Sequence, residues 1–296
     1  MKHFIAHREC RTEQSSLDLH PMRQAAKRKS LLYILRQFHP TLTATMSAEI
    51  QASRHEATLI LTLSNPGAKN ALHPDMFAAA VEALSTAERD DSIRAVILTG
   101  ADNFFCAGGN LNHLLEHRAM SKVDQGDAVD SLRSWIDAIR DCPKPVIAAI
   151  EGAAAGAGFS LALACDLIVS GNYAKFAMSY VRVGLTPDGG ASWFLTQSLP
   201  RQLATEILIE GKAIPAQRLY DLGVINKIVP DGTTLDVALK WADELAELSS
   251  NAVERTKSLI RDAKDHPLSQ HFELEKFNFV ESLNHRDAQE GIHAFL

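Results

Sequence analysis

The sequence predicts an α/β fold, and three observations carry the prediction. Short apolar runs of strand length alternate with stretches whose apolar residues recur at helical spacing. Two of those runs, Ala95–Thr99 and Pro145–Ile150, break into glycine- and alanine-rich turns just before a helix-like stretch. The chain of 296 residues, 46% hydrophobic and 22% charged, is long and apolar enough for a sizeable core in one or two globular domains.

Taken in order, residues 57–63 (Ala-Thr-Leu-Ile-Leu-Thr-Leu) alternate like a strand and stop at the turn Asn65-Pro66-Gly67. Pro74–Arg89 sets Phe77, Val81 and Leu84 on one stripe behind a proline suited to a first helical turn. The strand 95–99 leads into the first turn, Gly100 to Gly109, and a short helix over 111–117. A longer helix over 128–140 carries Leu132, Trp135, Ile136 and Ile139 on one face. The strand 145–150 leads into the second turn, Gly152 to Gly158, and a helix over 158–165. Short strands follow at 167–169 and 175–178, then helices over 188–199, 201–209 and 215–222, and a last strand at 225–229. Helices over 234–248, 251–263, 268–283 and from 287 to the end complete the chain. The aromatic residues of that tail (Phe272, Phe277, Phe279, Phe295) exceed what one helix pair buries alone, which points to packing on a second subunit. The organisation expected is therefore a lead (1–45), a core (46–248) and a helical region (249–296).

Charge and cysteine usage narrow the class. A net charge of −6 gives no global sign of nucleic-acid binding. Residues 1–45 differ from the rest, with eight Lys/Arg against three Asp/Glu. A transit peptide is one reading of that lead; Glu9, Glu13 and Asp18 count against it. The favoured expectation is a disordered extension or sequence upstream of a natural start at Met46. The four cysteines show no disulfide or metal spacing, which suits a reducing, cytoplasmic setting. The apolar stretch 146–169 is broken by glycines, Glu151 and Asp166, so a buried strand-turn-helix is expected there and no membrane span.

The glycine turns invite three chemical readings. Gly156-Ala157-Gly158 resembles the start of a dinucleotide fingerprint, but Leu161 stands at the third glycine position and no acid closes a second strand. Gly158-Phe159-Ser160-Leu161-Ala162 approaches a nucleophile elbow, yet Ser160 falls inside the helix instead of on the strand-to-helix corner. The third reading is an oxyanion site: small residues let backbone approach a ligand closely, and two facing turns present N–H groups to one oxygen that gains negative charge. Gly109 and Ala157 stand where the two turns give way to helices, where the helix dipole adds positive potential.

Four ordered motifs support the third reading: Asn65-Pro66-Gly67-Ala68-Lys69-Asn70-Ala71-Leu72, the segment 95–111 with Cys-Ala-Gly-Gly-Asn-Leu, the segment 143–166, and Val183-Gly184-Leu185-Thr186-Pro187-Asp188-Gly189-Gly190. Together with the tail 285–296 they resemble the crotonase superfamily, the enoyl-CoA hydratase/isomerase group, over about residues 50–296. The resemblance implies a spiral of strand-strand-helix units with a C-terminal helical trimerisation region, assembled as a homotrimer or a dimer of trimers. It implies an acyl-CoA substrate whose thioester oxygen is held by the amides of Gly109 and Ala157, and no cofactor beyond the coenzyme A carried by the substrate. Family members usually have glycine at the position of Ala157. Lys69, Ala71, Ala107, Gly108 and Leu111 fall where the family binds substrate, with Lys69 placed to meet a phosphate or simply to face solvent.

The catalytic carboxylates are where this chain departs from the resemblance. At the two positions where hydratases carry glutamates it has Ser160 and Tyr180. A third acidic position, used by some double-bond isomerases, is Asp188. Double-bond isomerisation with Asp188 as acid/base is therefore expected. A hydratase, a ring-opening hydrolase acting on a cyclic acyl-CoA, and a catalytically weak acyl-CoA-binding protein in which Asp188 only caps a helix are the alternatives. Ser160 is expected to hold a water, Tyr180 to fill space in preference to donating a hydrogen bond to the acyl group, and Trp193 to line the acyl pocket or the core.

Overall fold

The computed structural model describes residues 47–296; the expectations for residues 1–45 lie outside the described residues. Two sheets organise them. The larger has the order β1 (Glu49–His55), β2 (Thr58–Ser64), β3 (Ala95–Gly100), β4 (Val146–Ile150), β6 (Leu167–Gly171), β9 (Lys227–Val229). Only the β1–β2 hairpin is antiparallel; every later pairing in that sheet is parallel. The smaller sheet has the order β5 (Ala153–Ala155), β7 (Lys175–Ala177), β8 (Ile214–Pro215).

The central strands read as unbroken apolar runs because both of their faces are covered. Val96, Leu98, Ala148 and Ile150 join a core that includes residues of α1 (Pro74–Arg89), α3 (Lys122–Asp141) and α4 (Ala157–Ala164). The alternate residues Ala95, Ile97, Ile147, Ala149 and Val169 pack on Ala238 and Ala242 of α8 (Thr234–Ala246). Between α1 and α3 lies the short α2 (Leu111–His117), which buries none of its residues. In α1, Pro74 takes the first helical position and Met76, Ala80, Leu84 and Ala87 form the buried stripe.

The chain steps from one sheet to the other at each glycine turn. β4 in the large sheet gives way to β5 in the small one and then to α4; β6 gives way to β7 in the same manner. Ahead of them, β3 is followed by a single bridge between Cys106 and Ala154, and then by α2. Within the expected second turn, Ala153–Ala155 is a short strand paired in parallel with Lys175–Ala177.

After α8 the chain runs through α9 (Ser250–Asp262), α10 (Leu268–Leu283) and α11 (Arg286–Phe295). α9 is pinned to the core by Lys257, whose ammonium reaches Asp166 at 2.7 Å and the carbonyls of Lys144 at 3.1 Å and Ile139 at 3.3 Å. Three acceptors match its three N–H groups, so the half-buried charge is fully satisfied. No helix among the described residues is long and apolar enough to cross a membrane.

Candidate active site

The first turn is stitched on both sides. Towards the second turn, Phe105 N donates to Glu151 O at 2.8 Å, Cys106 N to Ala153 O at 2.9 Å, and Ala155 N to Cys106 O at 2.9 Å. Towards the segment 65–72, Ala107 N donates to Lys69 O at 3.0 Å and Leu72 N to Gly108 O at 2.8 Å. Asn70 clamps the same turn: its buried side-chain amide donates to the carbonyls of Ala101 and Phe104, and its oxygen accepts from Asn65 N. Lys69 and Asn70 both adopt left-handed backbone, which turns the Asn70 side chain inward.

Gly108 is the point of closest approach. Its φ is 90°, and a Cβ there would lie 2.5 Å from Ala155 O and 3.5 Å from Ala157 N. The backbone around Gly108 and Gly109 is thereby set against the start of α4. Ala157 is the first residue of that helix, so its amide has no partner within it, and the cap residue Gly156 brings no side chain to satisfy it. Among the described residues, the amides of Gly109 and Ala157 take no part in the backbone bonds that join the turns. Asn110 caps α2, accepting from Asn112 N at 3.0 Å and His113 N at 3.4 Å, and the tip of Leu114 lies 3.7 Å from where a Cβ of Gly109 would stand.

Asp188 and Tyr180 meet beside the second turn. Tyr180 lies in a 3₁₀ turn, Ser179–Val183, that ends at Gly184 with φ 77°. Leu185 N bonds back to Tyr180 O, so the chain doubles over and returns residue 188 to residue 180. The Tyr180 hydroxyl donates to Asp188 Oδ1 at 2.5 Å. Its ring lies along Gly156, with Cζ 3.6 Å from where a Cβ would stand. Ser160, fully buried in α4, donates through Oγ to the Asp188 carbonyl at 3.1 Å. Burial raises the Asp188 carboxyl above its ordinary range, and the Tyr180 hydrogen bond opposes that rise. Burial, then the adjacent carboxylate, pushes the Tyr180 phenol far above its ordinary range, so it stays protonated and acts as a donor.

These contacts correct three expectations. The helix expected from Asp188 is α5 (Ala191–Ser198): Gly189 and Gly190, with φ of 58° and 76°, keep the preceding residues out of helical conformation. Asp188 is therefore not that helix's cap; Gly190 is. Tyr180 does more than fill space, because it binds the carboxylate. Trp193 is 41% exposed, lies under the Arg140 guanidinium, meets Phe194 edge to face, and lines a groove with α9 and the C-terminal end of α4.

Comparison with known proteins places this fold in a family. The family model for enoyl-CoA hydratase/isomerase matches residues 53–296. The chain belongs to the enoyl-CoA hydratase/isomerase family. It is 33% identical over 249 residues to 2,3-dehydroadipyl-CoA hydratase of Escherichia coli (strain K12), covering 84% of this chain and 96% of that protein. It is 34% identical over 242 residues to 1,2-epoxyphenylacetyl-CoA isomerase of the same organism, covering 81% and 92%. Among solved structures, an enoyl-CoA hydratase from Polaromonas sp. JS666 superposes with a TM-score of 0.82 at 51% identity, covering 83% of this chain and 96% of that one.

Within this enoyl-CoA hydratase/isomerase fold the other expected site residues divide. Ala71 and Leu72 are buried under the first turn, and Ala107 and Gly108 form its rim through the bonds above. Lys69 holds its ammonium over the Phe104 ring, 5.1 Å from the centroid. Leu111 is 52% exposed and, with Leu114 and Leu115, gives α2 an apolar outer face beside Gly109. The clamp made by Asn70 is not among the residues the sequence singles out; a second asparagine just after the turn Asn65-Pro66-Gly67 is its available signal.

Proposed function

We propose that this protein is an acyl-CoA double-bond isomerase with Asp188 as its single acid/base. The observation that carries the reading is the placement of Asp188, a carboxylate with a raised proton affinity, against the first turn of α4, whose Ala157 amide opens beside Gly108. A 3-enoyl thioester bound with its oxygen on the amides of Gly109 and Ala157 would be acidified at C2. Asp188 takes the C2 proton, the C–H electrons pass into a dienolate, and the negative charge rests on the thioester oxygen. The same carboxyl returns the proton to C4, the double bond settles at C2–C3, and nothing is oxidised or reduced. Ser160 and Tyr180 offer no second carboxylate for positioning water, and the Ser160 hydroxyl is already given to the Asp188 carbonyl. The chemistry asks for no group beyond the coenzyme A of the substrate.

Hydration is the second reading, favoured by the hydratase names of several relatives. The two part when purified protein is given a 3-enoyl-CoA and a 2-enoyl-CoA side by side. Conversion of the first alone is expected. Rapid formation of a 3-hydroxyacyl-CoA from the second would sink the isomerase reading.

A homotrimer, or a pair of trimers, belongs to the same proposal. α10 and α11 leave Phe272, Phe277, Phe279, Ile292 and Phe295 exposed, more apolar surface than a free helix pair usually shows to water. Light scattering on the eluting protein is expected to give three or six times the 32.4 kDa chain mass. A single-chain mass would refute it.

A further inference from the structure

We infer that Tyr180 is a positioning residue for Asp188: its hydroxyl occupies Oδ1 of the carboxylate and leaves Oδ2 as the oxygen that exchanges protons with the substrate. This deepens the isomerase proposal and rests on its reading of Asp188. Three features of the structure carry it.

The first is the contact itself. The Tyr180 hydroxyl donates to one oxygen of the Asp188 carboxylate, a charge-assisted bond when that group is ionised. A residue that merely filled space, or that turned its hydroxyl to the acyl group, would not hold the carboxylate this way.

The second is how firmly Tyr180 is held. Its 3₁₀ turn is fastened to the end of α6 (Arg201–Glu210): Ser179 Oγ donates to Gly211 O at 3.2 Å, and Arg182 Nε donates to Glu210 O at 3.1 Å and Gly211 O at 2.7 Å. Its ring lies along Gly156, and Gly156 caps the helix that presents Ala157. Asp188 is fixed from the other side by Ser160, and a Cβ at Gly189 would come within 2.9 Å of Ser160 Cβ. Tyr180, Asp188 and Ser160 thus form a ring around the first turn of α4, and movement of any one would shift the acid relative to the oxyanion amides.

The third is that Tyr180 faces Asp188 without competition. α4 brings no charged residue (Ala-Gly-Phe-Ser-Leu-Ala-Leu-Ala), α3 brings Leu132 against Gly189, and the guanidinium of Arg182 is engaged by carbonyls. Among the described residues Tyr180 is the titratable side chain that acts on the Asp188 carboxyl, and it acts against the burial that raises it. Loss of the hydroxyl removes a contribution that favours the ionised form, so Asp188 takes its proton at higher pH.

The test is Tyr180→Phe, which keeps the ring on Gly156. Two readouts are taken: the pH profile of kcat/KM with a 3-enoyl-CoA, and the pH titration of the Asp188 carboxyl carbon in ¹³C-aspartate-labelled protein without substrate. Asp188→Asn identifies the resonance. The acidic limb and the carboxyl titration are both expected to move up by about one to two pH units, the size of one hydrogen bond to a charge. KM should change little. If neither readout moves, or if KM rises while the titration stays put, the positioning role is overturned. If the titration moves and the limb does not, Tyr180 does act on Asp188 and it is the acid/base assignment of Asp188 that fails.

Discussion

Asp188→Asn is expected to lower kcat on a 3-enoyl-CoA by about 10²–10⁴, the usual contribution of a positioned acid/base. Binding of a coenzyme A thioester should stay near wild type. The asparagine keeps the shape of the side chain and an oxygen for the Tyr180 hydroxyl, and the Ser160 bond is to the backbone carbonyl, which the substitution leaves in place. A second effect separates this variant from a damaged protein. Burial raises the Asp188 carboxyl, so near neutral pH the folded protein holds an ionised group in a place that disfavours it. A carboxyl with a raised folded-state value contributes stability that is present below its unfolded value and lost as pH rises through the folded one. Asp188→Asn should therefore unfold at a higher temperature than wild type near pH 7, and the difference should vanish as pH falls below about 4, the unfolded value of an aspartate. Turnover assays and thermal melts at both pH values check this. An active Asp188→Asn enzyme would remove Asp188 from the chemistry; an inactive one that melts lower would show that the residue holds the fold.

Burial decides which parts of this protein can be read from sequence and which cannot. β3 and β4 were visible because both of their faces are buried, so every residue carries the apolar signal. β1 was not, because it is an edge strand with mostly exposed residues, and its register is set by backbone pairing with β2. β5 is three alanines, indistinguishable in composition from the turn that contains it. The start of α3 hid for the opposite reason: Lys122 to Asp127 is mostly polar, contains Gly126 and buries none of its residues, and only the Ser121 cap and the buried residues further along reveal it. At the site, the two turns and Asp188 were legible as residue types at ordered positions. The partner of Asp188 was not. Tyr180 reaches it because Gly184 and Leu185 reverse the chain between them, a contact fixed by backbone geometry and not by any spacing rule.

The oxyanion turns offer a sharper test than their sequence first suggested, because two adjacent glycines have opposite tolerances. Gly108→Ala places a methyl 2.5 Å from Ala155 O at a φ of 90°, and neither the clash nor the backbone strain can relax cheaply. Ala155 is held by its bond to Cys106 O, Cys106 is held by Ala153 O, and Gly108 O is held by Leu72 N, so the turns must part for the methyl to enter. Parting them moves Gly109 away from Ala157. Loss of one oxyanion donor lowers kcat by about 10²–10³, and Gly108→Ala is expected to fall in that range or below it. Gly109→Ala is the control. Its φ is not left-handed, and a Cβ there meets only the tip of Leu114 at 3.7 Å, an ordinary contact, while the amide itself is retained. It should keep most of the activity. If Gly108→Ala turns over like wild type, the thioester oxygen is not held between these turns. If Gly109→Ala is the inactive one, the substrate passes over that Cα and the added methyl blocks it.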